Sequence, residues 1–144
     1  MAGEPINKPS TTWQTVIASS SPTNGAFDAA TKTAINATSL SANEQLYTLL
    51  DFHLNHTAGT ATENATIDLY RISNADSGST PTPAGSYKQT RVGRFVLDNV
   101  ASQHQYIFGV ANVDANDKFI TQNNGGATLT YSVKLRTRTL IAAT

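Results

Sequence analysis

The stretch TLTYSVKLRTRT, Thr128 to Thr139, alternates almost without interruption. Leu129, Tyr131, Val133 and Leu135 fall on one side, and Thr130, Ser132, Lys134, Arg136 and Arg138 on the other. A period of two marks a strand with one buried and one solvated face. The pattern recurs upstream. Trp13 to Ala18 (WQTVIA) is a first short strand and Ile35 to Leu40 another. In Ala65 to Ile72, Ile67 and Leu69 share one face, with Asp68 and Tyr70 on the other. Tyr87 to Val100 carries a strand centred on GRFVL, where Gly93 marks a bulge or bend. His104 to Asp114 is a strand with Tyr106, Phe108 and Val110 facing one way, and KFIT follows as a short one.

Ser41 to Asn55 carries two patterns. Ser41 and Glu44 make a capping box, and Leu46, Leu49, Leu50 and Leu54 a helical stripe. Leu46, Leu50, Phe52 and Leu54 also share one face of a strand, opposite Asp51, His53 and Asn55. The strand character of everything downstream favours the second pattern. Turn signals separate the strands: Pro22 and Asn24-Gly25, the polar TAGTATENA, the Ser-, Gly- and Pro-rich Ser73 to Ser86, and Asn123 to Gly126. Seven or eight short strands with regular turns predict an all-β fold, an antiparallel β-sandwich or barrel. A jelly-roll-like sandwich is the first choice and an Ig-like one the second. Residues 1–13, with Pro5 and Pro9 and little to bury, form an extended N-terminal arm, and 14–144 a single β-sandwich domain.

Composition sharpens this picture. Charged residues are only 14% of the 144, and Lys plus Arg balance Asp plus Glu, ten against ten. Thr, Ser, Asn and Ala take their place, which suits strands with neutral polar outer faces. Zero net charge argues against a nucleic-acid partner. A sparsely charged surface suits a protein packed against other copies or partners, and equally a simple low-charge soluble domain. There is no cysteine, which excludes disulfides, thiol catalysis and Cys-ligated zinc. No apolar run approaches a membrane span, and MAGEPINKPSTTW lacks the apolar core of a signal peptide. Three sequons, beginning at Asn36, Asn55 and Asn64, are then best explained by chance.

Candidate chemistry is sparse. His53 and His56 differ in parity on a strand, so they do not share a metal, and both read as polar surface residues at a strand end. Asp114, Asn116 and Asp117 offer oxygen donors but lack the glycine and distal glutamate of an EF-hand, and a turn explains them more simply. Asp76-Ser77-Gly78 gets the same reading. No nucleophile elbow or phosphate-binding loop occurs, so neither enzyme activity nor a cofactor is expected. Arg91, Arg94, Lys134, Arg136 and Arg138 have two readings: recognition of carboxylates on a partner, or charge that keeps a strand edge from pairing wrongly.

TIDLYRISNADSG, then VGRFVL, then KFITQNNGGATLTYSVKLRTRT come in an order that resembles a group of small jelly-roll virion proteins of tailed bacteriophages, which coat or cement the capsid shell. The resemblance covers roughly Leu46 to Leu140. It implies a homo-oligomer, a dimer or trimer, bound to the major capsid protein at subunit junctions. It implies localisation on the virion surface after synthesis in the host cytoplasm, and no catalysis, cofactor, nucleic acid or membrane. On this reading the arm lies along neighbouring chains, with Pro5, Ile6, Pro9 and Trp13 as contacts and Trp13 as anchor; packing of Trp13 into the domain's own core is its equal alternative. The alternatives are a tail or head-fibre component and a carbohydrate-binding module using exposed aromatics such as Tyr70, Tyr87 and Tyr106.

Overall fold

Alternating patterns of this kind dictate strands, and among the described residues every regular element is one. The computed structural model describes residues 3–28, 49–72, 89–111 and 118–143. They comprise β1 (Gly3–Pro9), β2 (Gln14–Ser20), β3 (Leu49–Ala58), β4 (Thr66–Ile72), β5 (Gln89–Val96), β6 (Gln103–Ala111), β7 (Lys118–Asn124) and β8 (Thr130–Ala143). The expected strand at Ile35 to Leu40, residues 41–48 of the ambiguous stretch, Asp76 to Gly78, Tyr87 and the Asp114 to Asp117 cluster lie outside the described residues. From Leu49 onward the ambiguous stretch is strand.

The pairings are antiparallel and nested. β1 and β2 pair with β8, Phe27 bridges Gln122 of β7, β3 pairs with β6, and β4 with β5. The chain is therefore a long double ribbon turned back on itself between β4 and β5. Rolling the ribbon adds the pairings of β3 with β8 and β4 with β7. Two sheets result. Sheet A runs β1-β8-β3-β6, with β2 also on β8, and sheet B runs β5-β4-β7. This is a jelly-roll-like winding of an antiparallel sandwich.

The two sheets meet through the inward residues that the alternation marks. Leu50, Phe52, Leu54, Tyr131, Val133 and Leu135 of sheet A face Ile67, Leu69, Phe95 and Phe119 of sheet B, and all are at most 1% exposed. Phe52 and Phe119 meet edge to face with ring centroids 4.9 Å apart. Burying each such side chain contributes about 1.5–3 kcal/mol. The Tyr131 hydroxyl crosses the core to Thr121 Oγ1 at 2.9 Å, and burial pushes its pKa up. At one side the sheets close on each other. Gly93, the predicted bulge, sits where the β4–β5 register slips, and a Cβ there would lie 2.6 Å from Ile107 of β6.

Two expectations need correction. The basic residues of the last strand do not guard an edge, because β8 is interior to sheet A, with β1 and β2 on one flank and β3 on the other. They lie on the sheet's outer face. The arm is extended as expected, but Gly3–Pro9 is itself a strand of sheet A, paired along the chain's own β8. Ile6 pairs with Ile141 and Pro9 with Arg138. The reason is length. β2 occupies β8 only as far as Leu135, so the stretch from Arg138 to Ala143 is open to β1. The prolines fit because Pro5 falls at a register slip and Pro9 at the strand end.

Candidate functional site

The outer face of sheet A gathers chemistry that no local motif announces. Its central residue is Asp51, on β3 and paired in register with Arg136 of β8. The side chain is fully buried, although its backbone position points it away from the core. Three donors cover it. Arg136 Nε donates to Oδ2 at 2.9 Å, Arg138 Nε donates to both oxygens at 2.7 Å, and the backbone N–H of Gly109 donates to Oδ1 at 3.2 Å. The last bond depends on a bulge in β6. Leu50 pairs with Val110 but Phe52 with Ile107, so Phe108 and Gly109 together oppose Asp51. Gly109 has φ +72°, the left-handed conformation that glycine adopts without steric cost. Burial pushes the Asp51 carboxyl up, but the bonds from Arg138, Arg136 and Gly109 outweigh it and hold the group below its ordinary 3.8.

Around this centre lies a row of rings. His104, His53, Tyr106 and Phe108 run side by side with nearly parallel planes. The centroid distances are 5.2, 4.7 and 5.7 Å and the interplanar angles 26°, 12° and 3°. Rings that close and that parallel turn their faces on one another. Trp13 sets its ring against His53 at 5.6 Å and Tyr106 at 6.4 Å. The guanidiniums finish the arrangement. Arg136 lies over Trp13 at 4.7 Å and Arg138 over Phe108 at 5.5 Å, each within cation–π range. Arg138 thereby reaches from β8 across β3 to β6. Tyr106 and Phe108 remain 49% and 59% exposed.

The same bulge corrects the expected facing of β6. Tyr106 and Phe108 point outward, whereas Val110, past the extra residue, packs against the core. The histidines also divide differently from expectation. His53 and His56 do take opposite faces, but His56 is buried, with Nε2 3.0 Å from the Ala58 carbonyl oxygen. His53 Nε2 lies 3.0 Å from His104 Nδ1. One ring donates and the other accepts, so two imidazolium ions cannot form this bond. Burial, His104 and Lys134 lower the His53 pKa below its ordinary 6.5.

Of the residues singled out from sequence, Trp13, Lys134, Arg136 and Arg138 come together on this face, with Pro9 opposite Arg138 in the register. Pro5 and Ile6 lie further along β1. Arg91 and Arg94 do not join them. They sit on β5 in the other sheet, where Arg94 holds Asp68 through two bonds, at 2.8 and 3.2 Å, and Arg91 approaches it at 3.6 Å. Asp51, His104 and Phe108 were missed as site residues. The one signal available was the outward parity of Asp51 and His53 beside the basic residues of β8. Among the described residues no group of three metal-ligating side chains occurs, and no helix is long and apolar enough to cross a membrane. No family model, no curated protein and no solved structure matches the chain.

Proposed function

We propose that this chain is a structural virion protein of a tailed bacteriophage, which decorates or cements the capsid by binding the major capsid protein at subunit junctions. The observation that carries this reading is the outer face of sheet A. Exposed aromatic rings beside arginines are the side chains enriched at interface hot spots, and here they are fixed in place before any partner arrives. Preorganisation of this kind lowers the entropy lost on binding. A rigid sandwich repeated around a shell would turn modest individual contacts into firm attachment. With β1 engaged by its own sheet, the face rather than the arm becomes the main attachment surface.

Co-sedimentation with purified capsid shells tests the reading. The full chain binds in stoichiometric amounts, and Trp13→Ala with Phe108→Ala reduces the bound fraction without changing the circular dichroism spectrum. Absence of binding by the unaltered chain overturns it.

A further inference from the structure

We infer that the outer face of sheet A is a receptor for an extended acidic peptide segment, whose carboxylates bind the outward N–H groups of Arg136 and Arg138. The inference builds on the face as a docking surface and adds the chemistry of its partner.

Three observations carry it. First, both guanidiniums spend their Nε on Asp51, and no partner for their terminal Nη groups occurs among the described residues. A guanidinium has five N–H donors, and the terminal pairs are the ones that grip a carboxylate in parallel. The side chains are 22% and 25% exposed, so those donors are reachable yet fixed. Second, the charge is one-sided. The strands of sheet A carry two acidic residues, Glu4 and Asp51, of which Asp51 is already committed. Against them stand Lys8, Lys134, Arg136 and Arg138. A second copy presenting the same face would meet like charge, so the complement is an acidic surface on a different molecule. Third, the rings favour a peptide over a sugar. A glycan stacks its C–H groups on an open aromatic face. Here the faces of Trp13 and Phe108 are covered by guanidiniums, and those of His53, Tyr106 and Phe108 are turned on neighbours. What remains outward is ring edge and N–H, both positive.

The geometry also suggests how such a segment lies. Arg138 stretches to Phe108 on β6, the outermost strand of sheet A, so carboxylates alternating with apolar side chains would meet guanidinium and ring edge in turn.

The test is a titration of the full chain, at about 20 mM salt where surface electrostatics are least screened, with synthetic octaglutamate, octaglutamine and oligogalacturonate. Binding is followed through the Trp13 indole and arginine Nε–H resonances. Saturable binding of octaglutamate alone, shifting Trp13, Arg136 and Arg138, is the expected result. No binding of octaglutamate, or preference for oligogalacturonate, overturns the inference. Arg138→Lys keeps the charge beside Asp51 but loses the fork, and about tenfold weaker octaglutamate binding is expected. Undiminished binding by this variant also overturns it. The two functional readings fail separately. Octaglutamate bound by a chain that ignores shells removes the capsid reading only. Shells that take up Arg138→Lys as well as the unaltered chain remove the peptide receptor only.

Discussion

Asp51→Asn removes the charge around which the outer face is organised. Hydrogen bonds to a charged group contribute about 1.5–3 kcal/mol each. Two guanidiniums and one backbone N–H converge on this carboxylate. Asparagine keeps one carbonyl oxygen for them and relieves the cost of burying an ion, which offsets part of the loss. The partly exposed arginines stay solvated, so the net destabilisation is about 2 kcal/mol at neutral pH. With about 2.1 cal/mol/K of unfolding entropy per residue over 144 residues, that lowers Tm by roughly 7 °C. The loss must depend on pH. The Asp51 pKa is depressed in the folded state, so its stabilisation is complete above 3.8 and disappears as pH falls through the folded value. Thermal melts of both proteins at about pH 7 and about pH 3 check this. A wide gap at neutral pH that narrows in acid is expected. Melting points that coincide at neutral pH, or a gap that persists unchanged in acid, refute the reasoning.

Gly109→Val should cost about 1–2 kcal/mol in urea denaturation, because φ +72° is strained for a β-branched residue. Gly109→Asn should cost clearly less, since the nearest obstacle to a Cβ is 4.0 Å away and asparagine tolerates that conformation. Tyr131→Phe leaves the Thr121 hydroxyl buried without its partner and should lower urea stability by about 1–2 kcal/mol, whereas the double change Tyr131→Phe with Thr121→Val should recover part of it. His53 has a lowered pKa when folded, so stability is full above 6.5 and declines as pH falls below that value. Between about pH 7.5 and about pH 5 the unaltered chain should lose more thermal stability than His53→Gln.

The alternation of β8 was enough to read which of its residues enter the core, since Tyr131, Val133 and Leu135 are buried and Lys134, Arg136 and Arg138 are not. Period two reports faces, however, and not neighbours. Whether β8 is an edge or a centre depends on which strands pair with it, and the nearest in sequence of those that do, β3, ends more than seventy residues earlier. The ring row was illegible for a related reason. His53 and His104 are 51 residues apart and meet only through the β3–β6 register. The outward set of β6 was misread because one bulge at Gly109 reverses parity within the strand. Asp51 looked like an ordinary solvated residue, since nothing local shows that two arginines 85 and 87 positions away will close over it.

The nested pairing also sets an order of manufacture. Sheet B has all its described strands once β7 emerges from the ribosome, but sheet A lacks its interior strand until residues 130–143 are made. Until then β1, β2 and β3 have no common partner, and half the core has no lid. Loop closure over such separations is slow, and the waiting strands are open to wrong pairing. The outward residues of β3, Asp51, His53, Asn55 and Thr57, are polar and leave such an intermediate little contiguous apolar surface there while β8 is completed. When β8 arrives, the two sheets close and Asp51, Arg136 and Arg138 come together in one event, so folding and the birth of the binding face are a single step.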